Sequence, residues 1–215
     1  MKILQIGCGG IGGWLAFFLA KTLTGDDELI LCDGDIVEEK NLDRQFFDQV
    51  GARKTSALRT KLGATRCQII DRPMYFDPAD ADYVDIIMSA VDNHKARRLA
   101  LGTGKPVIVG ANEYVTSEGY IYLPEWKKDE NLDPLKYYPT ILTDLTGDPT
   151  SPPCTGEVVV SNPQLPFANM QAATFMAGLF MNWIRNKPTV YTPYRYYSNG
   201  GTVTAWRRQG DIENK

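Results

Sequence analysis

The sequence predicts an α/β fold, a doubly wound and mainly parallel sheet that ends in antiparallel strands. Three observations carry that reading. The chain opens on a short apolar run closed by a glycine cluster, "MKILQIGCGGIGG". Short apolar runs then alternate with helical patterns, the signature of a parallel sheet flanked by helices. The chain closes on one long helical pattern followed by a hairpin signal around "SNGG".

Each element follows from its own stretch. "MKILQIG" reads as the first strand, and "GGWLAFFLAKTLT" as a buried helix because it is apolar on nearly every face. "ELILCDGD" supplies the second strand, "ARKTSALRTKLG" an amphipathic helix closed by Gly63, "RCQIIDR" the third strand and "DYVDIIMSAV" the fourth. A helix from about His94 to Leu101 and the strand "PVIVGAN" follow, and "EGYIYLP" is expected to run the other way. Between Pro124 and Pro166 the pattern dissolves, with prolines at 134, 139, 149, 152, 153 and 163. Long loops without regular structure are uncommon in compact domains and are usually functional or disordered. "PFANMQAATFMAGLFMNWIRN" is a long helix with proline in its first turn, where the missing N–H costs nothing. "VYTPYRYYSNGGTVTAWRR" forms a hairpin whose turn is expected at Asn199-Gly200. All 215 residues read as one domain: a nucleotide-binding half over 1–123, a proline-rich crossover over 124–165, and a helix plus hairpin over 166–215.

Composition narrows the function. Residues are 43% hydrophobic and 23% charged, and no apolar run approaches the roughly 18 residues of a membrane span, so a soluble protein without a membrane partner is expected. Met1 runs straight into the first strand without a signal-like leader, which predicts a cytoplasmic protein. The net charge of −3, with both signs interspersed, lacks the basic stripe of a nucleic-acid binder. Cys8, Cys32, Cys67 and Cys154 form no CxxC pair, which argues against a disulfide framework and a structural zinc.

Gly7, Gly9 and Gly12 spell GxGxxG between a strand and a helix, where backbone N–H groups and the helix dipole hold phosphate. Asp33 lies 21 residues after Gly12 at the end of the second strand, where an acid takes a ribose hydroxyl pair. To this point a nicotinamide or flavin oxidoreductase fits equally well. "DGDIVEEKNLDRQFF" then delivers Asp33, Asp35, Asn41, Arg44 and Gln45 in one irregular segment, with Lys54 early in the next helix. Arg44 and Lys54 suit a triphosphate, one as a planar fork and the other as a point charge. Asp92 ends the fourth strand at the carboxyl edge of the sheet, and a lone carboxylate there suits Mg²⁺; its alternative role is the N-cap of the following helix. His94, the single histidine, reads as a surface or capping residue, and Cys8 and Cys32 as small packing residues.

Taken together, "GCGGIG", "DGDIVEEKNLDRQ", Lys54 after "VG", "SAVDN" and "EGYIYLP" resemble the ThiF/MoeB/HesA family, the Rossmann-like adenylating domain shared with ubiquitin-activating enzymes, in its stand-alone bacterial form. The resemblance implies that Gly7, Gly9, Gly10 and Gly12 wrap the phosphates of ATP. It further implies that Asp33 binds the ribose, that Asn41, Arg44 and Lys54 contact phosphates, and that Asp92 holds Mg²⁺. The implied reaction is attack by the C-terminal carboxylate of a ubiquitin-like or sulfur-carrier protein, usually ending in Gly-Gly, on the α-phosphate, and the implied assembly is a homodimer. A non-catalytic partner subunit with the same fold is the alternative, although such a subunit would be expected to lack the charged site residues retained here. Cys154 in "SPPCTGE" resembles the proline-Cys-Thr context of the catalytic cysteine in ubiquitin-activating enzymes; it is either a nucleophile that takes a thioester or an ordinary loop cysteine.

Overall fold

The computed structural model describes residues 1–127, 129, 131–144, 165–186 and 193–207. Its strands are β1 (Lys2–Ile6), β2 (Glu28–Cys32), β3 (Gln68–Arg72), β4 (Ile86–Ser89), β5 (Val107–Asn112), β6 (Thr116–Tyr122), β7 (Pro193–Asn199) and β8 (Thr202–Arg207). The helices are α1 (Gly10–Thr22), α2 (Lys54–Leu62), α3 (His94–Leu101), the single turns α4 (Pro134–Tyr137) and α5 (Thr140–Thr143), and α6 (Pro166–Asn186).

The strands form one sheet in the order β3-β2-β1-β4-β5-β6-β7-β8. The first five pair in parallel and the rest antiparallel, as the sequence predicts. β1 is central because its residues Ile3 to Ile6 are buried on both faces, the near-continuous apolar pattern of a parallel interior strand. β5 to β6 reverses direction because only residues 113–115 join them, far too few for the crossover a parallel pair needs.

Register then builds the site edge. Ile6 stands opposite Cys32 on β2 and Ser89 on β4, so β1, β2 and β4 end level. Gly7, Asp33 and Ala90 are therefore delivered side by side. Chain order runs outward one way through β2 and β3 and the other way through β4 and β5, so the reversal falls between β1 and β4, where ligands of such sheets bind.

α1 and α6 pack together, and α6 covers β5 and β6. Alternation along β6 sends Ser117 and Gly119 toward α6, where the Ser117 hydroxyl donates to the Ala168 carbonyl. Glu118 and Tyr120 consequently face the opposite side, against α4. α3 packs on that side against α5, with Arg98 donating to the carbonyls of Ile141 and Asp144.

Two expectations change. The crossover is less irregular than its prolines suggest: a 3-10 turn at Pro124–Trp126, α4 and α5 all form within it. Pro124 and Pro134 open their turns at a position where no N–H is required, and Asp133 accepts the N–H of Leu135. The hairpin loop is Gly200-Gly201 rather than Asn199-Gly200, because both loop residues take positive φ, 62° and 145°, and Asn199 stays in β7 opposite Thr202.

Candidate active site

The glycine loop crosses from β1 to α1, and each glycine has its own reason. A Cβ on Gly12 would lie 2.1 Å from the Gly7 carbonyl oxygen, so only glycine lets α1 start this close to the strand. A Cβ on Gly10 would lie 2.5 Å from Nδ2 of Asn169, a fully buried α6 side chain. A Cβ on Gly9 meets nothing nearer than the Gln45 side chain at 3.7 Å. Packing therefore explains Gly10 and Gly12 but not Gly9, whose bare backbone faces an open cleft at the N-terminus of α1. Beneath the loop, the Gln5 amide on β1 donates to the carbonyls of Gly7 (3.0 Å) and Gly12 (2.8 Å).

Asp33, just past β2, accepts the N–H groups of Cys8 (2.7 Å) and Asp35 (2.9 Å), one on each oxygen. It thereby fixes both the glycine loop and the segment after β2, and a carboxylate keeps further acceptor capacity for a ligand. Burial raises its pKa against those two hydrogen bonds. Asp35 accepts the Lys54 ammonium (2.8 Å) on one oxygen and the Tyr75 hydroxyl (2.8 Å) on the other. Burial pushes the Asp35 carboxyl up, but those two bonds outweigh it and hold it below its ordinary range. Lys54 is itself buried at the start of α2, so its charge is held at the cleft. Burial raises the Cys8 thiol and pushes Cys32 up to about 12, so both are neutral packing groups, as the sequence predicts.

On the other side of the switch point, Asp92 is exposed in the cleft wall, and among the described residues it has no hydrogen bond or ion pair. The N-cap of α3 is Asn93, which accepts the Ala96 N–H at 2.8 Å, so the capping alternative for Asp92 falls away. His94 is neither a cap nor a surface residue but the half-buried first residue of α3, with Nε2 3.7 Å from Asp144 and a buried Nδ1 that lacks a partner. Burial and the Arg97 charge lower its pKa. Arg97 donates to the Val91 carbonyl at 2.9 Å, bracing the turn that carries Asp92.

These groups line a cleft of about 1440 Å³ that runs on past Asn112 and Glu118 to Arg195 and Tyr197 on β7. At that far end the Arg195 guanidinium donates to Glu118 at 2.6 Å and stacks over Tyr137, Tyr138 and Trp206, while the Tyr138 hydroxyl also binds Glu118.

The structure thus brings Gly7, Gly9, Gly10, Asp33, Asp35, Gln45, Lys54 and Asp92 into one cleft, with Gly12 just behind it. It does not bring Asn41 or Arg44 into the lining. The Asn41 side chain instead accepts the Glu38 N–H at 2.9 Å and is buried, closing the irregular segment on itself. Gln45 stands beside Gly9 with a buried, unpartnered Oε1. Cys154 lies outside the described residues. Sequence reasoning missed Gln5, Tyr75, Arg97 and Asn169. Only Gln5 carries a local signal, a polar residue inside an apolar strand. No group of three or more His, Cys, Asp or Glu side chains among the described residues is placed to hold a metal, and no described helix is long and apolar enough to cross a membrane.

A doubly wound sheet with a glycine turn, an acid after β2 and charged groups around the switch point defines a nucleotide-binding α/β protein. The sequence model of the ThiF family matches residues 1–209, and the chain belongs to that family. It is similar to the adenylyltransferase and sulfurtransferase MOCS3 of Xenopus laevis, 32% identical over 120 residues, which cover 50% of this chain and 26% of that protein. Among solved structures, PaaA superposes with a TM-score of 0.68 at 18% identity, covering 96% of this chain and 63% of PaaA. E. coli MccB with ATP superposes with a TM-score of 0.66 at 20% identity, covering 98% of this chain and 65% of MccB. These likenesses show the fold. The chain spans about a quarter of MOCS3 and just under two thirds of PaaA and MccB.

Proposed function

We propose that the protein adenylates the C-terminal carboxylate of a ubiquitin-like or sulfur-carrier protein that ends in Gly-Gly, using ATP, and that it works as a homodimer. The observation that carries this reading is the continuity of the cleft. Its phosphate-binding end at β1 and β4 runs into an arm across β5, β6 and β7. From β1 to β7 there are four strand spacings of about 4.8 Å, roughly 19 Å, the reach of some six extended residues at about 3.3 Å each. A nucleotide alone needs no such arm. MccB, which shares the fold, has structures with ATP and with MccA.

The reaction needs little chemistry from the protein. A carboxylate is already ionised, so no base is required: its oxygen attacks the α-phosphorus, the bond to the bridging oxygen breaks, and the electron pair leaves with pyrophosphate. Position and charge are what remain to be supplied. The Gly9 backbone and the α1 N-terminus hold phosphate, Asp33 takes the ribose, and Lys54 exchanges Asp35 for a phosphate oxygen. Asp92 fits Mg²⁺, which keeps several waters and takes one or two carboxylates, because its carboxylate is exposed and lacks a protein partner among the described residues. When bound, the ion would neutralise phosphate charge. In a second step the Cys154 thiolate attacks the acyl carbon, the bond to AMP breaks, and a thioester forms; this step rests on the sequence context alone.

Pyrophosphate exchange with a Gly-Gly carrier tests the reading. Asp92→Ala and Lys54→Ala should each lower exchange by about 10²–10³, the usual loss for one charge-stabilising group. Unchanged exchange in Asp92→Ala removes that residue from the mechanism, and saturable NAD binding without ATP binding overturns the proposal.

A further inference from the structure

We propose that Tyr75 is the platform against which the base of the bound nucleotide stacks, an assignment that rests on the ATP reading above. Sheet order fixes the direction in which the nucleotide lies. Phosphates belong over β1, at the glycine loop, and the ribose over β2, at Asp33. The base continues along the same line, over the end of β3, which pairs with β2 at Cys32 and Arg72.

Tyr75 stands at that end. It is 73% exposed and lines the cleft, an unusual exposure for a large aromatic side chain whose position is fixed. Its hydroxyl donates to Asp35, and its ring lies over Gly34, where a Cβ would come within 2.8 Å of three ring atoms. The backbone beneath is also pinned. The Cys32 thiol donates to the Met74 carbonyl at 3.2 Å, the Met74 N–H donates to the Arg72 carbonyl at 2.8 Å, and Arg72 is held by Asp80. No other aromatic ring among the described residues stacks on Tyr75. A preordered aromatic face open to a ligand cleft, one residue beyond the ribose position, matches the π-face of a purine. Stacking of a base on an aromatic ring is sequence-tolerant and contributes affinity without hydrogen-bond readout.

Calorimetric titration of the full chain with ATP and with inorganic tripolyphosphate separates base from phosphate binding. Tyr75→Ala should weaken ATP about tenfold, equal to about 1.4 kcal/mol, and spare tripolyphosphate. Tyr75→Phe, which keeps the ring, should recover most of that loss. Wild-type ATP affinity in Tyr75→Ala overturns the assignment. So does an equal loss on both ligands, which would mean that Tyr75 acts through Asp35 and Lys54 rather than on the base. A wild-type chain that binds tripolyphosphate but gains nothing from ATP fails the nucleotide reading and this assignment together, whereas the two preceding results leave that reading standing.

Discussion

Gly10 is the position at which packing and ligand binding make different demands, and a double-mutant cycle with Asn169 tells them apart. A methyl group at residue 10 would fall 2.5 to 2.7 Å from Nδ2, Cγ and Oδ1 of Asn169, well inside van der Waals contact with a buried amide that cannot swing into solvent. Inserting a methyl into a filled interior costs about 1–3 kcal/mol, so Gly10→Ala should be destabilised by about 2 kcal/mol. Asn169→Ala removes the amide that accepts from Asn112 at 3.1 Å, worth about 1 kcal/mol, but it also removes a buried Nδ2 that lacks a partner. In the double variant the new methyl occupies the vacated space, so the clash disappears. The double variant should therefore be more stable than the sum of the single changes by about 2 kcal/mol, a coupling well above the roughly 0.5 kcal/mol expected of independent sites. For a chain of 215 residues this corresponds to about 4–8 °C in melting temperature, readily followed by circular dichroism or fluorescence. Strict additivity would refute the assignment of Gly10 to packing and return it to the phosphate.

Gly12→Ala should melt lower than Gly9→Ala, because only the former drives a methyl against backbone, 2.1 Å from the Gly7 carbonyl oxygen, whereas Gly9→Ala should be the variant that loses ATP affinity; melting curves and calorimetry on both check the order, and a reversed order would overturn the reading of the loop. Burial and the Arg97 charge lower the pKa of His94, so it favours the folded state in its neutral form: that contribution is present above pH 6.5 and is lost as pH falls through the lowered value. Because His94 is the single histidine, its imidazole protons are assigned without ambiguity in a proton NMR titration, and a midpoint at or above 6.5 would contradict the structure.

Much of the fold was legible because its parallel half is written in local patterns. "MKILQIG" and "ELILCDGD" are short apolar runs closed by turn residues, and the helix from Pro166 to Asn186 has the expected bounds. The crossover was less legible. Its prolines look like breakers, yet Pro124 and Pro134 start short helical turns, in which Trp126 and Pro134 are buried. The hairpin turn moved by one residue because two adjacent glycines both tolerate positive φ, and pairing between β7 and β8 decided which two were used.

The site divides in the same way. The sequence by itself determined the glycine turn, the acid after β2, the lysine at the head of α2 and Asp92 after β4, because each sits at the end of a local element whose direction the pattern reveals. Only the tertiary structure decided what those residues touch. It placed Asn41 and Arg44 outside the cleft lining although they share a segment with Asp35, and it gave Asn93 rather than Asp92 the cap of α3. It brought in Tyr75, 40 residues from Asp35, and set Asn169 of α6 against Gly10 at the opposite end of the chain. Chain pattern records which face of an element is buried. The partner across that face is fixed by register, helix packing and the level at which neighbouring strands end, and these come into being only when the sheet is assembled.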